Sequence, residues 1–450
     1  MDETNEMLAK LFALLETKDF RQLKDSLSEL NPADAAEFLE TLDEKQLLLV
    51  FRTLTKETAA DAFSYLPAEM QEKLITTITD KEASAIIDEL AVDDAVDALD
   101  ELPANVVKRL LQHTSPETRQ LINQFLNYPE TSAGSIMTAE FVHLKKEMTV
   151  EEAFARIRKV GLDSETVYTC YVTDANRRIE GVVTVRELFL ASLDTLIGDI
   201  MDRDVIYAYA SDNQEDVAQM ISRYDFLSLP IVDQEQRLVG IVTVDDIIDV
   251  IQEENTEDFE KMAAMFPSQK TYIKTGILEM ARNRVVWLLV LMISAMFTGG
   301  ILGRYEHAYT LMPILVTFIP MLMDTGGNSG SQSSTMIIRG IALGEISEGD
   351  LPAILWKELR VSLCVGGTLA IVNFLRMLIM GSGDIWVKMN VCLALMITVV
   401  IANAIGGVLP MLAKKVKQDP AIMASPMITT IVDACSLIIY FNLARILLGL

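Results

Sequence analysis

A polar segment lies in the middle of an apolar stretch that runs from about Leu311 to Ile338. A helix of about 20 residues crosses the hydrocarbon core of a bilayer, so this stretch is long enough to span a membrane. Its centre, residues 323–334, reads MDTGGNSGSQSS and contains the carboxylate of Asp324. Lipid offers no hydrogen-bonding partner to such groups, which must therefore face protein or water. Two interpretations follow: a close helix–helix interface of small residues, or a functional site around an ionisable residue.

Five apolar segments of this length predict an all-α membrane domain over residues 284–450. The predicted spans are Val285–Leu302, Leu311–Ile338, Val361–Met380, Met389–Leu412 and Ala421–Leu448. In membrane proteins Lys and Arg concentrate in the cytoplasmic loops. With the N-terminus inside, eight basic residues flank the inner ends of the spans and three flank the outer ends. The chain is therefore predicted to have a cytoplasmic N-terminus and an external C-terminus.

Two of the later spans also carry polar residues. The fifth span contains Asp433. Three further residues share its helical face at spacings of three and four: Pro426, Thr429 and Thr430. A charged Asp in the middle of a membrane helix costs about 2.5–3.5 kcal/mol on insertion scales, so this polar stripe is predicted to face inward. Asn403 gives the fourth span a similar polar position, close to a Gly-Gly pair.

The charge of the chain is strongly uneven. The net charge is −26 at pH 7, and residues 284–450 contain 9 acidic and 11 basic side chains against 55 acidic and 27 basic side chains before them. So acidic a surface argues against nucleic acid as a partner and is compatible with cations. The cysteines, Cys170, Cys364, Cys392 and Cys435, are isolated in sequence. Their spacing gives neither a disulfide framework nor a zinc site, and it indicates buried small residues in a reducing compartment.

Residues 1–128 contain an internal repeat and are predicted to form an acidic α-helical domain. Apolar residues recur every 12 positions from Leu30 to Leu102, and most are followed by residues that start or end helices. Short helices of about ten residues that stack on their neighbours, as in a solenoid, fit this period. On one of these helices Asp93, Asp97 and Asp100 share a face. An ordinary solvated face and a cation-binding face both fit these carboxylates.

A second repeat, with an offset of 64 residues, divides residues 129–250 into two similar halves. Each half contains a strand that begins with glycine, Gly181 or Gly240, and the pattern Gly-h-h-Thr-h-x-acid, where h is apolar. The halves resemble a tandem pair of cystathionine-β-synthase (CBS) modules, which implies an α/β regulatory unit. Thr184 and Glu187 occupy positions that commonly hold phosphate and ribose in such modules, although Asp is often found where Glu187 stands. The resemblance thus implies a weak site for ATP.

Carboxylates crowd the second half of the pair and the connector that follows it, residues 251–283. The acids of the second half are Glu215, Asp216, Asp225, Asp245, Asp246 and Asp249. Close carboxylates repel each other unless a cation or a proton neutralises them, and hard divalent cations are natural partners of oxygen-only clusters. Residues 248–265 are predicted to form one connecting helix with an apolar and an acidic side. A lever between a sensor and a pore and a passive spacer both fit such a helix.

The order of these parts resembles the MgtE family of magnesium transporters. The most specific signals are TGGNSGSQSS in the second span and Pro-x-x-Thr-x-x-x-Asp in the fifth, and the resemblance covers essentially the whole chain. It implies a multidomain fold with an all-α superhelical N-terminal domain and an α/β tandem CBS pair. A connecting helix, called the plug helix in the family, and an all-α domain of five transmembrane helices complete the implied fold.

The resemblance also implies particular site residues. It implies a homodimer with the ion path between the subunits, a pore carboxylate at Asp433, and a path lined by Asn328, Thr429 and Thr430. Asp324 and Asn403, in the membrane spans, are further pore-lining candidates. In the cytosol, Mg²⁺ would be bound by carboxylates of the N domain, the CBS pair and the plug helix. These are Asp61, Asp93, Asp97, Glu215, Asp225, Asp246, Glu254, Glu257 and Asp258.

These features predict a Mg²⁺-selective transporter or channel of the cell membrane. It would import Mg²⁺ down its electrochemical gradient and close when cytosolic Mg²⁺ binds the acidic sensor. Two alternatives stay open: a CBS-regulated transporter of another divalent cation such as Mn²⁺ or Co²⁺, and a membrane-anchored Mg²⁺ sensor. An enzyme is not expected, because the sequence shows neither a nucleophile–base pair nor a phosphate-binding loop.

Overall fold

The computed structural model describes residues 2–100, 102–162, 164–268, 272, 275–381, 383–423 and 425–449. The chain forms two compact units, Met1–Val250 and Ile251–Leu450. The first unit contains short helices followed by a pair of α/β modules. The second unit contains the end of the connecting helix and a set of long helices.

Short helices form the N-terminal part of the first unit. They are α1 (Asp2–Glu16), α2 (Phe20–Ser28), α3 (Pro32–Glu40), α4 (Glu44–Phe51), α5 (Lys56–Ser64), α6 (Ala68–Thr77), α7 (Asp80–Ile87), α8 (Val92–Asp100), α9 (Ala104–Leu111) and α10 (Pro116–Phe125). Capping side chains start several of them: Asp43 and Thr79 each form a capping box with the first turn that follows. Alternate helices pack together, such as α3 with α5 and α5 with α7. The 12-residue repeat is thereby confirmed as a stack of short helices, and its apolar residues, such as Leu66 and Leu90, are buried.

Two α/β modules with the same topology complete the first unit. The first contains β1 (Phe141–Leu144), α11 (Val150–Val160), β2 (Thr166–Thr173), β3 (Ile179–Thr184) and α12 (Val185–Leu190). The second contains α13 (Ile197–Ile200), β4 (Ala208–Tyr209), α14 (Gln214–Tyr224), β5 (Ser228–Val232), β6 (Leu238–Thr243) and the start of α15 (Val244–Met262). In each sheet the first strand is parallel to the second, and the second is antiparallel to the third. The registers also correspond, since Cys170 lies opposite Val183 and Leu229 lies opposite Val242.

The repeated glycine and methionine residues show how the two modules fit together. A Cβ atom at Gly181 would lie 2.7 Å from the sulfur of Met201, and one at Gly240 would lie 2.7 Å from the sulfur of Met137. Each glycine therefore leaves room for the methionine that the other module contributes. Two pairs of residues exchange backbone hydrogen bonds in the same way, Thr138 with Ile241 and Val182 with Asp202.

Long helices form most of the second unit. They are α16 (Ile277–Arg304), α18 (Ile319–Ala342), α19 (Leu351–Ile379), α20 (Ile385–Lys415) and α21 (Ser425–Leu448), with the short α17 (Glu306–Leu311) between the first two. Within the described residues, four segments are long and apolar enough to cross a membrane: Ile277–Arg304, Leu351–Ile379, Ile385–Lys415 and Pro420–Leu448. Helix α18 is more polar, but its 24 residues give it a length of about 36 Å, which exceeds the ~30 Å thickness of the hydrocarbon core.

The second predicted span is divided in the structure. The sequence predicted one apolar stretch over Leu311–Ile338, but α17 ends at its first residue and α18 begins only at Ile319. A 3₁₀ turn over Pro313–Phe318 separates the two helices. Pro313 and Pro320 each lie in the first turn of a helix. Backbone N–H groups in a first turn have no acceptor within the helix, so proline, which lacks the N–H, breaks no helical hydrogen bond there.

The connecting helix and the fifth span also begin at other residues than predicted. Helix α15 starts at Val244, immediately after β6, and ends at Met262, whereas the sequence predicted a helix over residues 248–265. Its start is set by the strand-to-helix junction of the second module. Helix α21 begins at Ser425 after a 3₁₀ turn over Pro420–Met423, and residue 424 lies outside the described residues.

Helices α18, α20 and α21 pack together through small residues. A Cβ atom at Gly406 of α20 would lie 2.3 Å from the carbonyl oxygen of Gly330 in α18, and one at Gly326 would lie 2.9 Å from a methyl group of Val432 in α21. Glycine at these positions lets the helix backbones approach closely, as is common in membrane proteins. Helix α19 packs on α20, and α16 packs on α21.

Candidate functional site

Helix α18 has two different faces. One fits the interpretation of its polar sequence as a close helix–helix interface, and the other fits the interpretation as a functional site around an ionisable residue. Small residues on one face are buried against the neighbouring helices: Gly326, Gly327, Ser329, Gly330, Ser333 and Ser334. On the other face Asp324, Asn328 and Gln332 follow at intervals of one turn and are exposed. The Asn328 amide donates a 3.1 Å hydrogen bond to the Asp324 carboxylate. This exposed face presents a row of carboxylate and amide oxygens.

Asp433 of α21 lies near this face of α18. Its side chain is half-buried, and it is close enough to Asp324 for the two charges to interact. Thr429 and Thr430 are also half-buried and lie one turn earlier in the same helix. A Cβ atom at Gly327 of α18 would lie 2.9 Å from the methyl group of Thr429, so the two helices are in direct contact here. The structure therefore brings together the predicted pore residues of α18 and α21.

Asn403 differs from the other predicted pore residues because its side chain points into a helix interface. It is 5% exposed. Its side-chain oxygen accepts a 2.6 Å hydrogen bond from the Ser329 hydroxyl, and its backbone carbonyl accepts a 3.2 Å bond from the Ser333 hydroxyl. These bonds join α20 to the small-residue face of α18. Asn403 thus has a packing role in the structure, and its role as a pore-lining residue stays a prediction.

The first unit gathers carboxylates from three separate elements. Asp93 and Asp94 lie in the first turn of α8, Glu165 precedes β2, and Asp246 lies in the first turn of α15. Burial raises the pKa of Asp93 well above its usual range and that of Asp94 to about 7. The neighbouring carboxylates raise both pKa values further, and burial also raises the pKa of Asp246. Several carboxyl groups thus lie close together where burial and mutual repulsion disfavour their ionised form.

One oxygen of this acidic cluster has no hydrogen-bonding partner. The Oδ1 atom of Asp93 is buried and unpaired, whereas Oδ2 of Asp246 accepts a 2.5 Å bond from the Thr243 hydroxyl. A buried carboxylate oxygen is stabilised by a proton or a cation, and Mg²⁺ prefers oxygen ligands. Within the described residues, no three His, Cys, Asp or Glu side chains are arranged to hold a metal ion together.

Asp94 and Glu165 were absent from the ligands expected from the sequence. Helical spacing had placed Asp93, Asp97 and Asp100 on one face, but the structure turns Asp93 and Asp94 inward and leaves the other two exposed. The spacing within one helix does not reveal which side meets another module. Glu165 lies in a short connection without any motif, so no signal in the sequence could have identified it.

The other expected ligands of the first unit lie on different helices. Asp61 is exposed on α5, where partial burial and the charge of Glu57 raise its pKa. Glu215 lies in the first turn of α14, and Asp225 ends that helix with a left-handed backbone at φ 53°. The shifts in the pKa values of Asp93 and Asp94 come mainly from burial and from other carboxylates. The roles of Asp61, Glu215 and Asp225 as ligands stay predictions.

A second group of carboxylates lies at the end of the connecting helix, in the second unit. Glu254, Glu257 and Asp258 are half-buried there. Lys261 forms ion pairs with Glu257 one turn earlier and with Asp419, whose Oδ2 atom lies 2.6 Å from the Lys261 nitrogen. Burial and Asp419 raise the pKa of Asp258 to about 6, and the Lys261 charge opposes this shift. Sequence reasoning missed Lys261, although its spacing of four from Glu257 was visible, and Asp419, which gave no signal.

The end of α15 also contacts the elements that carry the predicted pore residues. Arg339, near the C-terminal end of α18, donates a 3.2 Å hydrogen bond to the side-chain oxygen of Asn255. Met262 packs against Ile338 of α18 and against Ala421 in the 3₁₀ turn that precedes α21. The connecting helix therefore touches both α18 and the segment that leads into α21.

Thr184 and Glu187, the expected nucleotide-binding residues, cap helix α12. One Glu187 carboxylate oxygen accepts bonds of 2.7 Å from the Thr184 N–H and 2.8 Å from its hydroxyl. The Thr184 hydroxyl in turn accepts a 3.2 Å bond from the Glu187 N–H. Both side chains thus form a complete capping box. A nucleotide that used them would have to share these groups with the helix.

Comparison with protein-family models defines the class of this protein. Residues 319–443 match a model described as a divalent cation transporter, MgtE, and residues 30–131 match the MgtE intracellular N domain. Residues 133–194 and 197–253 match the CBS domain. The matched parts describe a membrane transporter with a tandem CBS pair, as the sequence predicted.

Curated relatives match over almost the whole chain. Magnesium transporter MgtE of Thermus thermophilus is 36% identical over 96% of this chain and 97% of that protein. The proteins of the same name from Bacillus subtilis and Enterococcus faecalis are 31% and 35% identical, each over 98% of this chain and 97% of its own length. The chain therefore belongs to the MgtE family. This family consists of transporters, so the expectation that the chain is not an enzyme is confirmed.

Two solved structures resemble a little more than half of this chain. The soluble part of a magnesium transporter is 34% identical with a TM-score of 0.54, and the match covers 56% of this chain and 99% of that one. The cytosolic domain of the Mg²⁺ channel MgtE in complex with ATP is 37% identical with a TM-score of 0.52, covering 54% and 99%. They confirm the predicted fold of the helical domain and the CBS pair.

Proposed function

We propose that this chain is a transporter or channel that imports Mg²⁺ across the cell membrane. The observation that carries the proposal is the proximity of Asp433 to the exposed polar face of α18, because an ionisable residue at membrane depth marks a transport path more often than a packing contact. The relatives that match over the full length are named magnesium transporters. Inward movement of a divalent ion gains about 4.6 kcal/mol per 100 mV of membrane potential, so a passive path suffices.

The functional unit in this proposal is a homodimer. Asp324, Asn328 and Gln332 are exposed in the single chain, and lipid leaves such groups without hydrogen bonds. A second copy that faces this side of α18 would enclose the polar groups and bring two Asp433 side chains to one path. The path would be lined by Asn328, Thr429 and Thr430, and Asp324 would add a second carboxylate.

The donor set of this path suits a hydrated ion. Mg²⁺ gives up its inner waters reluctantly, so carboxylates, hydroxyls and amides can hold it through its water shell. Oxygen donors discriminate weakly among divalent metals, and geometry must supply the rest. Mn²⁺ and Co²⁺ are therefore the second candidate substrates, a choice that the description of the matched family as divalent cation transporters favours.

Cytosolic Mg²⁺ closes the path in this proposal. The unpaired Asp93 oxygen and the carboxylates around it favour a state in which a cation neutralises them, so Mg²⁺ binds that state more tightly. The connecting helix, with Glu254, Glu257 and Asp258, contacts α18 and the approach to α21, so its position affects the helices that carry the path. The further ligands would be Asp61, Asp97, Glu215, Asp225 and Asp246. ATP binding near Thr184 would modulate the same unit.

The proposed orientation places the N-terminus and the CBS pair in the cytoplasm and the C-terminus outside. Eight basic residues at the inner ends of the spans against three at the outer ends support it. This orientation can be tested by introducing a cysteine at either terminus of the protein and treating intact cells with a membrane-impermeant thiol label. Only a cysteine at the C-terminus is expected to react.

Mg²⁺ uptake into proteoliposomes containing an internal Mg²⁺ dye tests the proposal. The native protein and Asp433→Asn are compared at low Mg²⁺ on the cytosolic face, with Mn²⁺ and Co²⁺ as alternative ions. Uptake by the native protein and none by the variant is the expected result. No uptake by either protein would overturn transport and favour a membrane-anchored sensor. Equal uptake by both would remove Asp433 from the path.

A further inference from the structure

Lys261 lies at the point where the connecting helix meets the membrane helices. Its half-buried ammonium group is paired with Glu257 on its own helix and with Asp419, which immediately precedes the 3₁₀ turn that leads into α21. A lysine in this position is a positive charge supplied by the protein, among carboxylates that would otherwise need a cation from solution.

Asp419 is held in place for this interaction. Its Oδ1 atom accepts a 2.7 Å hydrogen bond from the Ala421 N–H, and its Oδ2 atom lies 2.6 Å from the Lys261 nitrogen. Exposed ion pairs contribute little, mainly because two mobile side chains must be ordered. Here the carboxylate is already ordered by the backbone, and both partners are half-buried, so the pair loses less entropy on forming.

The charges around Lys261 make its contribution specific. Asp419, Glu254 and Glu257 act on the carboxylate of Asp258, and the positive charge of Lys261 opposes them there. When the helix is docked and all four carboxylates are ionised, their charges sum to −4. Adding the Lys261 ammonium group reduces the net charge of the cluster to −3. The other contacts of the helix end are a hydrogen bond between Arg339 and Asn255 and apolar packing of Met262 against Ile338, and neither is an ion pair with these carboxylates.

We infer that Lys261 is a positioning residue whose ammonium group docks the connecting helix on Asp419 without the help of Mg²⁺. Docking then persists in part when Mg²⁺ is absent, and Mg²⁺ strengthens a contact that the protein already makes. The docking contact itself stands on the geometry of the second unit. Its consequence for the path, a raised basal conductance when the lysine is lost, rests on the proposed function.

Hydrogen–deuterium exchange of the full-length protein in lipid nanodiscs with EDTA tests the docking contact. Amides of residues 254–262 are expected to exchange about two- to fivefold faster in Lys261→Met than in the native protein, because a partly buried pair is lost while the apolar stem is kept. Asp419→Asn keeps the oxygen that binds the Ala421 N–H and should also speed exchange, by less than Lys261→Met because it removes a repelling carboxylate as well. The double variant should be no faster than Lys261→Met.

Two further variants separate charge from packing. Lys261→Arg should restore slow exchange, because it returns the positive charge. Lys73→Met, which removes an exposed lysine paired with Glu69 at 3.1 Å, should leave exchange of the connecting helix unchanged. In Lys261→Met 0.5 M KCl should slow exchange, because carboxylate repulsion is then the main interaction that salt screens. In the native protein the salt should slow exchange less or speed it, because it also screens the ion pair.

Unchanged exchange in Lys261→Met, additive effects in the double variant, or failure of arginine to restore slow exchange would each overturn the inference. None of these results depends on transport. Mg²⁺ uptake by the native protein in proteoliposomes is measured separately, so failure of the proposed function would show as absent uptake with the exchange pattern intact. A higher uptake by Lys261→Met than by the native protein at low Mg²⁺ is the expected functional result.

Discussion

The side-chain amide of Asn328 donates a 3.1 Å hydrogen bond to the carboxylate of Asp324, one turn earlier on the exposed face of α18. The bond orients the carboxylate in the part of the chain where it is close enough to interact with Asp433. The carboxylates of Asp324 and Asp433, from neighbouring helices, thus lie close to each other. An ion between them would be attracted by both.

Asp324→Asn should slow Mg²⁺ uptake without abolishing it. Removal of one charge near a divalent ion costs about 1 kcal/mol or more even in a watery environment, which corresponds to about fivefold slower uptake. Initial uptake rates in proteoliposomes give the measurement. Asp384→Asn is the control, because it removes a carboxylate at the start of α20 that forms no capping hydrogen bond. Uptake by Asp324→Asn equal to that of the control would exclude Asp324 from the path.

Asp93→Asn should stabilise the Mg²⁺-free protein and weaken its response to Mg²⁺. The substitution removes a negative charge that burial and the neighbouring carboxylates disfavour, although the amide keeps an oxygen at the buried position. Thermal unfolding in EDTA and in millimolar Mg²⁺ measures both effects. Asp100→Asn, on an exposed position of the same helix, should unfold as the native protein does. If Mg²⁺ stabilised native and Asp93→Asn proteins equally, the acidic cluster would not be the regulatory site.

Asn403→Ala should lower stability and leave ion selectivity unchanged. It removes the partner of the Ser329 hydroxyl, and interhelical hydrogen bonds in membrane proteins contribute about 0.6–1.7 kcal/mol. The unfolding temperature in detergent and the ratio of Mg²⁺ to Co²⁺ uptake are the two measurements. Asn328→Ala is expected to do the reverse, since Asn328 is exposed on the other face. A changed ratio with unchanged stability in Asn403→Ala would return Asn403 to the pore-lining residues.

Much of the fold could be predicted because its signals are local. Each 12-residue period contains one helix together with its caps, and the pattern around Gly181 or Gly240 contains one strand-to-helix junction. Each of these patterns can therefore be recognised from residues that are close in sequence. The contacts of Gly181 with Met201 and of Gly240 with Met137 had no such signal, because they arise only when two modules pair. The same holds for the division of the second predicted span, where two prolines determine the helix starts within an unbroken apolar pattern.

The site was predicted less completely than the fold, for two physical reasons. Polar residues occur on both faces of α18, so composition alone does not tell that Ser329 packs against a helix while Asp324 is exposed. Glu165 and Asp419 lie in connecting segments, close to carboxylates of helices that are distant in sequence. The spacing of residues within one helix cannot reveal such contacts. Asp433 could be named as a candidate from the sequence because a carboxylate within an apolar span is conspicuous by itself, and its role in the path stays a prediction.

The stability of the first CBS module should fall as the pH decreases from about 6.5 to about 4. Burial, followed by the charges of Arg156, Lys145 and Arg177, lowers the pKa of His143 from 6.5 to about 4. The unfolded chain therefore binds a proton in this range that the folded chain resists, and stability present above pH 6.5 is lost below it. His143 also accepts a 2.8 Å hydrogen bond from Arg156, which requires the neutral ring.

The difference between unfolding midpoints at pH 7.5 and pH 5 measures this effect. His143→Gln should show a smaller loss on acidification than the native protein, because it has no ring to protonate. His113→Gln changes an exposed histidine and should lose as much stability as the native protein. The variants are compared with each other because carboxylates with raised pKa values, such as Asp94, act in the opposite direction. Equal losses in all three proteins would contradict the buried neutral state of His143.

Gly406→Ala should disrupt the packing of α20 against α18. The added Cβ atom would lie 2.3 Å from the Gly330 carbonyl oxygen, which belongs to the backbone and cannot rotate away, so the helices must separate. Overpacking of this kind costs about 1–3 kcal/mol, and it exceeds the gain of about 0.5–1 kcal/mol from replacing a helical glycine by alanine. Gly300→Ala in α16 is the matched control, because its Cβ would meet no atom within 4 Å. Thermal unfolding in detergent should therefore show a lower midpoint for Gly406→Ala and an equal or higher one for Gly300→Ala. A native-like midpoint for Gly406→Ala would mean that α18 and α20 can separate without loss, and the exposed face of α18 would then not be fixed by this contact.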